Sequence, residues 1–342
     1  MEIIDQEKII HNLENEINLE DYQISTREEE NKKLKVVFMG TPSFAVPVLE
    51  GLIEQYEVVL VVCQPDRKKD RKGNMVIPDT KAVVLKHGIE FFQPIKIRND
   101  YQVILDKEPD LIVTCAYGQI IPKEIIDYPK YGCINVHGSL LPKLRGGAPI
   151  HWAIINGETV TGITVMLMSE KMDAGDIICQ RSLSIGPDEI LDSLYERMSI
   201  LGRDLLLETI PNIVDGTYQH FPQNEEEVTF GFNIKKEDEK ISFDKKCFEV
   251  RNLVRGLNSM PGAYCLIDDK RMKVYRVELV NGHYSEAVAG EIVAVLDDGM
   301  IVQCADGYIK ILEIAMEGKK RCLVRDYFNG VKKDSFVGKV LH

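Results

Sequence analysis

The chain has 342 residues, 44% of them apolar, and a formal net charge of −12. That length allows two domains and the apolar fraction is ordinary for a globular protein, while the charge taken alone argues against a nucleic-acid binder. No apolar run reaches the roughly 18–20 residues of a membrane span, residues 1–20 carry acids where a signal peptide is basic, and eight cysteines without a C-x-x-C pair fit a reduced cytoplasmic chain.

Residues 1–33 hold ten acids against four bases, half of the net charge in a tenth of the chain. Ile3, Ile9, Ile10, Leu13 and Ile17 allow an imperfect amphipathic helix, but nothing there suggests chemistry, and an acidic N-terminal extension is expected. Lys35–Met39 reads as a buried strand, and Gly40-Thr41-Pro42-Ser43-Phe44 turns into a helix over 45–55. Without G-x-G-x-x-G this opening supports no dinucleotide site. A strand at 58–62 leads into Gln64–Asn74, a loop with five basic residues that is either a solvated surface or an arm for a polyanion. Helices over 81–86, 99–106 and 122–126 then alternate with strands over 90–93 and 111–115. Such alternation predicts a Rossmann-like, doubly wound parallel sheet for residues 34–210.

Cys133-Ile134-Asn135-Val136-His137 is the next buried strand of that sheet. Asn135 and His137 project from one face, and Gly138-Ser139 ends the strand where open α/β sheets bind ligands. Asp173 lies in the turn Met172–Asp176 after the apolar run 162–168, so an amide, an imidazole and a carboxylate can meet at one rim. The amide can hold an oxyanion, the imidazole can donate or relay a proton, and the carboxylate can orient the imidazole or accept a proton through water. No serine or cysteine occupies a G-x-S-x-G elbow, so the set suits acyl-type transfer to a nucleophile that the substrate brings. On spacing alone, a purely structural Asn–His pair stays open. A helix over 191–210 reads as packing, and 211–234 as a linker. Beyond it, a helix over 246–256 and short strands at 261–267, 271–280, 291–296, 300–304 and 308–315 predict a smaller OB-like antiparallel β-barrel at 235–342. Its lysines and arginines suit nucleic acid or an ordinary solvated surface equally.

The literal strings Asn135-Val136-His137-Gly138-Ser139-Leu140-Leu141-Pro142, Arg145-Gly146-Gly147-Ala148-Pro149-Ile150 and Asp173-Ala174-Gly175-Asp176 resemble the signature of folate-dependent formyltransferases. The resemblance implies that Asn135, His137 and Asp173 carry a formyl group from 10-formyltetrahydrofolate to an amine, with no metal. It places Ser139, Leu140, Leu141 and Pro142 against the folate, together with Ala116, Tyr117 and Gly118. Phe38–Phe44, Gln64–Arg67 with Arg71, Ala116–Pro122, Arg255–Asn258, Pro261–Tyr264 and Glu317–Arg321 are similar to the branch whose acceptor is methionyl initiator tRNA. This implies a translation enzyme in which Arg67, Arg71, Lys72, Lys319, Lys320 and Arg321 contact the tRNA, and with no interface-like heptad in the sequence a monomer is expected. A globally acidic chain can do so, because phosphate contacts are local and screened beyond about 10 Å at 0.1 M salt. Ser259-Met260 stands where the branch has an aromatic, Gly147 where it has Ala, Lys68-Lys69-Asp70 in place of a smaller Pro/Ala/Gly run, and residues 1–33 have no counterpart. A nucleotide-sugar amine formyltransferase and a non-catalytic RNA-binding protein are the rival readings.

Overall fold

The computed structural model describes residues 33–68, 75–282, 284 and 287–342. The expected acidic extension lies outside them except for Lys33, and so do Arg71 and Lys72 of the basic loop. The first domain runs β1 (Lys35–Gly40), α1 (Val46–Gln55), β2 (Glu57–Val62), α2 (Asp79–His87), β3 (Phe91–Phe92), α3 (Gln102–Leu105), β4 (Leu111–Cys115), α4 (Lys123–Ile126) and β5 (Cys133–His137). It continues through α5 (Pro149–Ile155), β6 (Val160–Leu167), β7 (Ile177–Ser184) and α6 (Leu191–Val214). Among the described residues the strands form one seven-stranded sheet in the order β3-β2-β1-β4-β5-β6-β7.

Continuous apolar, β-branched runs make β1, β4 and β5 strands buried on both faces. Alternation sends Val36, Phe38, Val113, Ile134 and Val136 to one side, against Val48, Leu49 and Leu52 of α1 and Leu194, Met198 and Leu206 of α6. Val37, Met39, Ile112 and Cys133 face the other side, against Ile104 of α3 and Ile125 and Ile126 of α4. The sheet is parallel from β3 to β5, as the strand–helix alternation predicts, and mixed beyond it: β6 runs antiparallel to β5 and β7 antiparallel to β6. The short β6–β7 connection cannot carry the crossover that a parallel pair requires. Edge strand β7 accordingly alternates exposed and half-buried residues.

The linker begins later than its proline suggested, because α6 continues through Pro211 to Val214. Proline there deletes a single intrahelical bond near the helix end, and Ile210 and Ile213, both buried, hold the last turn to the core. After the linker come α7 (Cys247–Gly256), β8 (Ala263–Ile267), β9 (Lys270–Val280), β10 (Ile292–Val295), β11 (Met300–Cys304), β12 (Gly307–Met316) and β13 (Cys322–Leu323). They form an antiparallel sheet in the order β8-β9-β12-β11-β10, with β13 added to β12. The C-terminal segment spans its two edges. Ile292 N–H donates to Lys339 O (2.8 Å) on the β10 side, and Leu266 and His342 exchange backbone bonds of 2.7 and 3.0 Å on the β8 side. No helix among the described residues is long and apolar enough to cross a membrane.

Candidate active site

A cavity of about 660 Å³ opens over the face of β5. Thr114, Ala116–Ile121, Asn135, His137, Gly146–His151, Met168, Asp173 and Asn233 contribute to its wall. The sequence reading of Asn135 and His137 on one strand face holds, and both are buried, at 9% and 5% exposure. Asn135 Oδ1 accepts a hydrogen bond of 2.8 Å from the Thr114 hydroxyl on the neighbouring strand. With its carbonyl so engaged, the carboxamide has its N–H₂ group left to donate. His137 Nε2 lies 3.1 Å from Leu144 O; a carbonyl only accepts, so the proton sits on Nε2 and the neutral ring keeps Nδ1 bare.

Asp173 reaches that bare nitrogen by an indirect route. The β6–β7 connection starts beside Cys133, where Met168 N–H donates to Cys133 O, and must fold back over β5. Asp173 takes a left-handed conformation (φ 52°), its Oδ2 accepts from Gly146 N–H at 2.8 Å, and its Oδ1 stands 3.6 Å from His137 Nδ1. That separation would serve an ion pair once the ring is protonated and is too long for a direct hydrogen bond in the structure as it stands.

The residues expected around a folate divide into two groups. Ala116, Tyr117 and Gly118 do line the cavity. Ser139, Leu140, Leu141 and Pro142 are outside its lining: Ser139 Oγ donates to Lys143 O (2.6 Å), while Leu141 N–H donates to Thr164 Oγ1 (3.1 Å) and its carbonyl accepts from Gln180 (2.8 Å). The segment thus builds the turn that carries Leu144 and Arg145. Of the expected tRNA contacts, Arg67 is exposed at the root of the basic loop, which Asp66 anchors through Lys81 (2.7 Å) and Gln93 (2.8 Å). Lys319 and Lys320 are exposed and make no ion pair among the described residues. Arg321 is occupied: it pairs with Glu313 at 2.7 Å and stacks on Tyr275 at 4.2 Å.

Sequence reasoning missed Thr114, His151, Gln223 and Asn233. His151 lines the cavity from α5, and burial pushes its pKa below the ordinary histidine value, against a hydrogen bond to the Met260 backbone that pulls it up. Asn233 explains the missing methyl at Gly147, whose added Cβ would stand 2.1 Å from Asn233 Oδ1. Tyr117 carries a buried hydroxyl with no hydrogen-bond partner among the described residues.

Residues 32–210 match the family described as Formyl transferase, and residues 233–332 match Formyl transferase, C-terminal domain. The chain belongs to the formyl transferase family. Methionyl-tRNA formyltransferase of Bacillus cereus (strain B4264) is 50% identical over 305 residues, covering 88% of this chain and 97% of the relative. The enzyme of that name from Bacillus thuringiensis (strain Al Hakam) is 49% identical over the same coverage. Among solved folds, Aquifex aeolicus HypX in complex with tetrahydrofolic acid aligns with TM-score 0.60 and 18% identity, over 89% of this chain and 49% of that one. The N-formyltransferase of Helicobacter canadensis, in complex with folinic acid and dTDP-3-aminofucose, aligns with TM-score 0.61 and 21% identity, over 81% and 98%. At those identities the two structures speak for a formyl transferase fold alone. Membership accounts for the trio's setting, since the family's first domain spans every residue of the cavity wall named above except Asn233, which the second family match contains.

Proposed function

We propose that this chain transfers the formyl group of 10-formyltetrahydrofolate to the α-amine of methionyl initiator tRNA. The observation that carries it is an Asn–His–Asp set on one cavity wall in a chain half identical, over almost its whole length, to methionyl-tRNA formyltransferases. The donor set fits a folate substrate. The cavity volume falls in the range of about 300–1,000 Å³ of small-molecule sites, and apolar wall residues stand beside a few polar groups, Asn135, His137 and Asp173 among them. Both family matches speak against a bare RNA-binding protein. The near-complete coverage of tRNA-modifying relatives, against 21% identity to the sugar enzyme, speaks against a sugar acceptor.

In this reading the neutral α-amine attacks the formyl carbon, and a C–N bond forms as the carbonyl electrons move to oxygen. Asn135, its carbonyl held by Thr114, donates from its N–H₂ group to that oxyanion. His137, held by Leu144 O as the Nε2–H tautomer, takes the ammonium proton on Nδ1. Asp173 faces the imidazolium that results and stabilises it. Collapse of the adduct breaks the bond to the folate nitrogen, which receives the same proton, so charge and protons balance. The acceptor end of the tRNA enters from the side of the Gln64–Asn74 loop and of Lys319 and Lys320, in a cytoplasmic enzyme acting as a monomer.

The test is a pair of reactions with 10-formyltetrahydrofolate, one with methionyl initiator tRNA and one with an aminosugar nucleotide. Formylmethionyl-tRNA alone is expected, and formylated sugar alone overturns the acceptor. Asn135→Ala is expected to lower turnover about 10²–10³-fold with folding intact, the size of losing one oxyanion donor; near-normal turnover removes Asn135 from the mechanism.

A further inference from the structure

We propose that Gln223, from the segment joining the two domains, is a positioning residue that sets where Asp173 stands; this rests on the reading that Asp173 serves His137 during transfer. Gln223 is buried, at 9% exposure, although it lies in a stretch whose composition reads as a linker. Its whole carboxamide is committed. Nε2 donates to Asp173 O and to Gly175 O, both at 2.8 Å, and Oε1 accepts from Arg145 Nε at 2.9 Å. The rest of the Arg145 guanidinium is held by Glu225, from Nη1 at 3.3 Å and Nη2 at 2.8 Å.

These bonds close a ring around the carboxylate. The residue after Arg145 is Gly146, whose N–H donates to Asp173 Oδ2 at 2.8 Å. The residue before it is Leu144, whose carbonyl fixes the His137 tautomer. Gln223 therefore ties the backbone of Asp173 to the same short loop that holds both the Asp173 side chain and the His137 ring. Two residues of the assembly, Leu144 (φ 59°) and Asp173 (φ 52°), sit in the left-handed region that non-glycine residues rarely adopt, so their conformation needs holding from outside. The two carbonyls that accept from Nε2, those of Asp173 and Gly175, fix the turn on both sides of Ala174. Backbone bonds from Gly231 N–H to Arg145 O (2.8 Å) and from Ala148 N–H to Gly231 O (2.9 Å) continue the same brace toward the second domain. The connecting segment is part of the active-site architecture.

Two variants and two readouts test this. Gln223→Met keeps length but loses both donors and the carbonyl acceptor; Gln223→Glu keeps the acceptor for Arg145 and, ionised, loses both donors. Each is expected to lower kcat by about tenfold or more while the KM for 10-formyltetrahydrofolate stays within about twofold. In an Asp173→Ala background, Gln223→Met is expected to add less than about a twofold loss, because a residue that acts through Asp173 has nothing left to position. Amide hydrogen exchange at Gly146 is expected to accelerate in both variants, and it reports the carboxylate independently of activity. A full additional loss in the Asp173→Ala background, or unchanged Gly146 exchange, overturns the proposal. If Gln223→Met does not fold, Gln223→Glu carries the same comparisons. A wild-type chain that makes no formylmethionyl-tRNA removes the functional reading, and Gly146 exchange then decides the brace by itself.

Discussion

Thr114 and His151 shape the site without belonging to its reacting trio. The Thr114 hydroxyl is the donor that sets Asn135's orientation, and it is buried at 3% exposure, so water cannot replace it. Thr114→Val keeps the shape and leaves a buried carbonyl oxygen unsatisfied, which costs about 1–3 kcal/mol. A fall in kcat/KM of about tenfold is expected, with Thr114→Ser close to the parent; equal kinetics for Val and Ser variants would show that the amide orients itself. His151 bears on stability. Its folded pKa is depressed by burial below the ordinary value of 6.5, so the unfolded chain binds more protons in the window between the two. The contribution is intact above 6.5 and is lost as pH falls toward the folded value, and His151→Gln is expected to flatten that acid loss in urea titrations run across the window. The spacing of Asn135 and His137 was legible in the sequence because period 2 is local. Thr114 was not, because its partnership depends on the β4–β5 register that sets Thr114 beside Asn135.

The elements were legible wherever apolar runs were long, and their directions were not. β1, β4, β5 and β11 lie within a residue of where composition puts them, since each is buried on both faces or in a sheet core. The antiparallel pairing of β7 with β6 follows from their short connection, and that connection holds a glycine whose role shows only in three dimensions. It is Gly175: a Cβ there would stand 1.9 Å from the backbone oxygen of Leu167 at the end of β6. Backbone cannot yield as a side chain tip can, so Gly175→Ala must push the Asp173 turn off the strand. The expected result is a destabilisation of about 1–3 kcal/mol in denaturant midpoints and a loss of turnover larger than the stability change explains. Gly147→Ala is the contrasting case, because the atom it meets is the free end of Asn233; the fold should be unaffected while Asn233 leaves the cavity wall. Equal damage from both would mean that the backbone contact at Gly175 constrains the chain no more than the side-chain contact at Gly147 does.

On the scale of the molecule, the two domains are locked by polar contacts that the sequence did not announce. Arg255, in a segment matched to the tRNA-directed branch, is buried and donates to Asn252 Oδ1 (2.8 Å) and to the carbonyls of Glu189 (3.0 Å) and Gly186 (3.4 Å) across the domain boundary. Ser259 N–H donates to Asp192 at 2.9 Å beside it. Arg321 is likewise committed within the second domain, to Glu313 and Tyr275. Of the two lysines and one arginine of the 319–321 run, Lys319 and Lys320 are thus the two left exposed without an ion pair among the described residues. Each phosphate contact contributes roughly 0.7–0.9 to the slope of log affinity against log salt. Replacing both lysines with Gln should flatten that slope for tRNA by up to about 1.8 and raise the KM for methionyl-tRNA at physiological salt. Binding of 10-formyltetrahydrofolate, measured directly, should not move. Arg321→Gln separates charge from architecture: it should lower the unfolding midpoint and leave the salt slope nearly as it was. The reverse pattern, a flat slope from Arg321 and none from the lysines, would put the tRNA path across the Tyr275 face of the second domain instead.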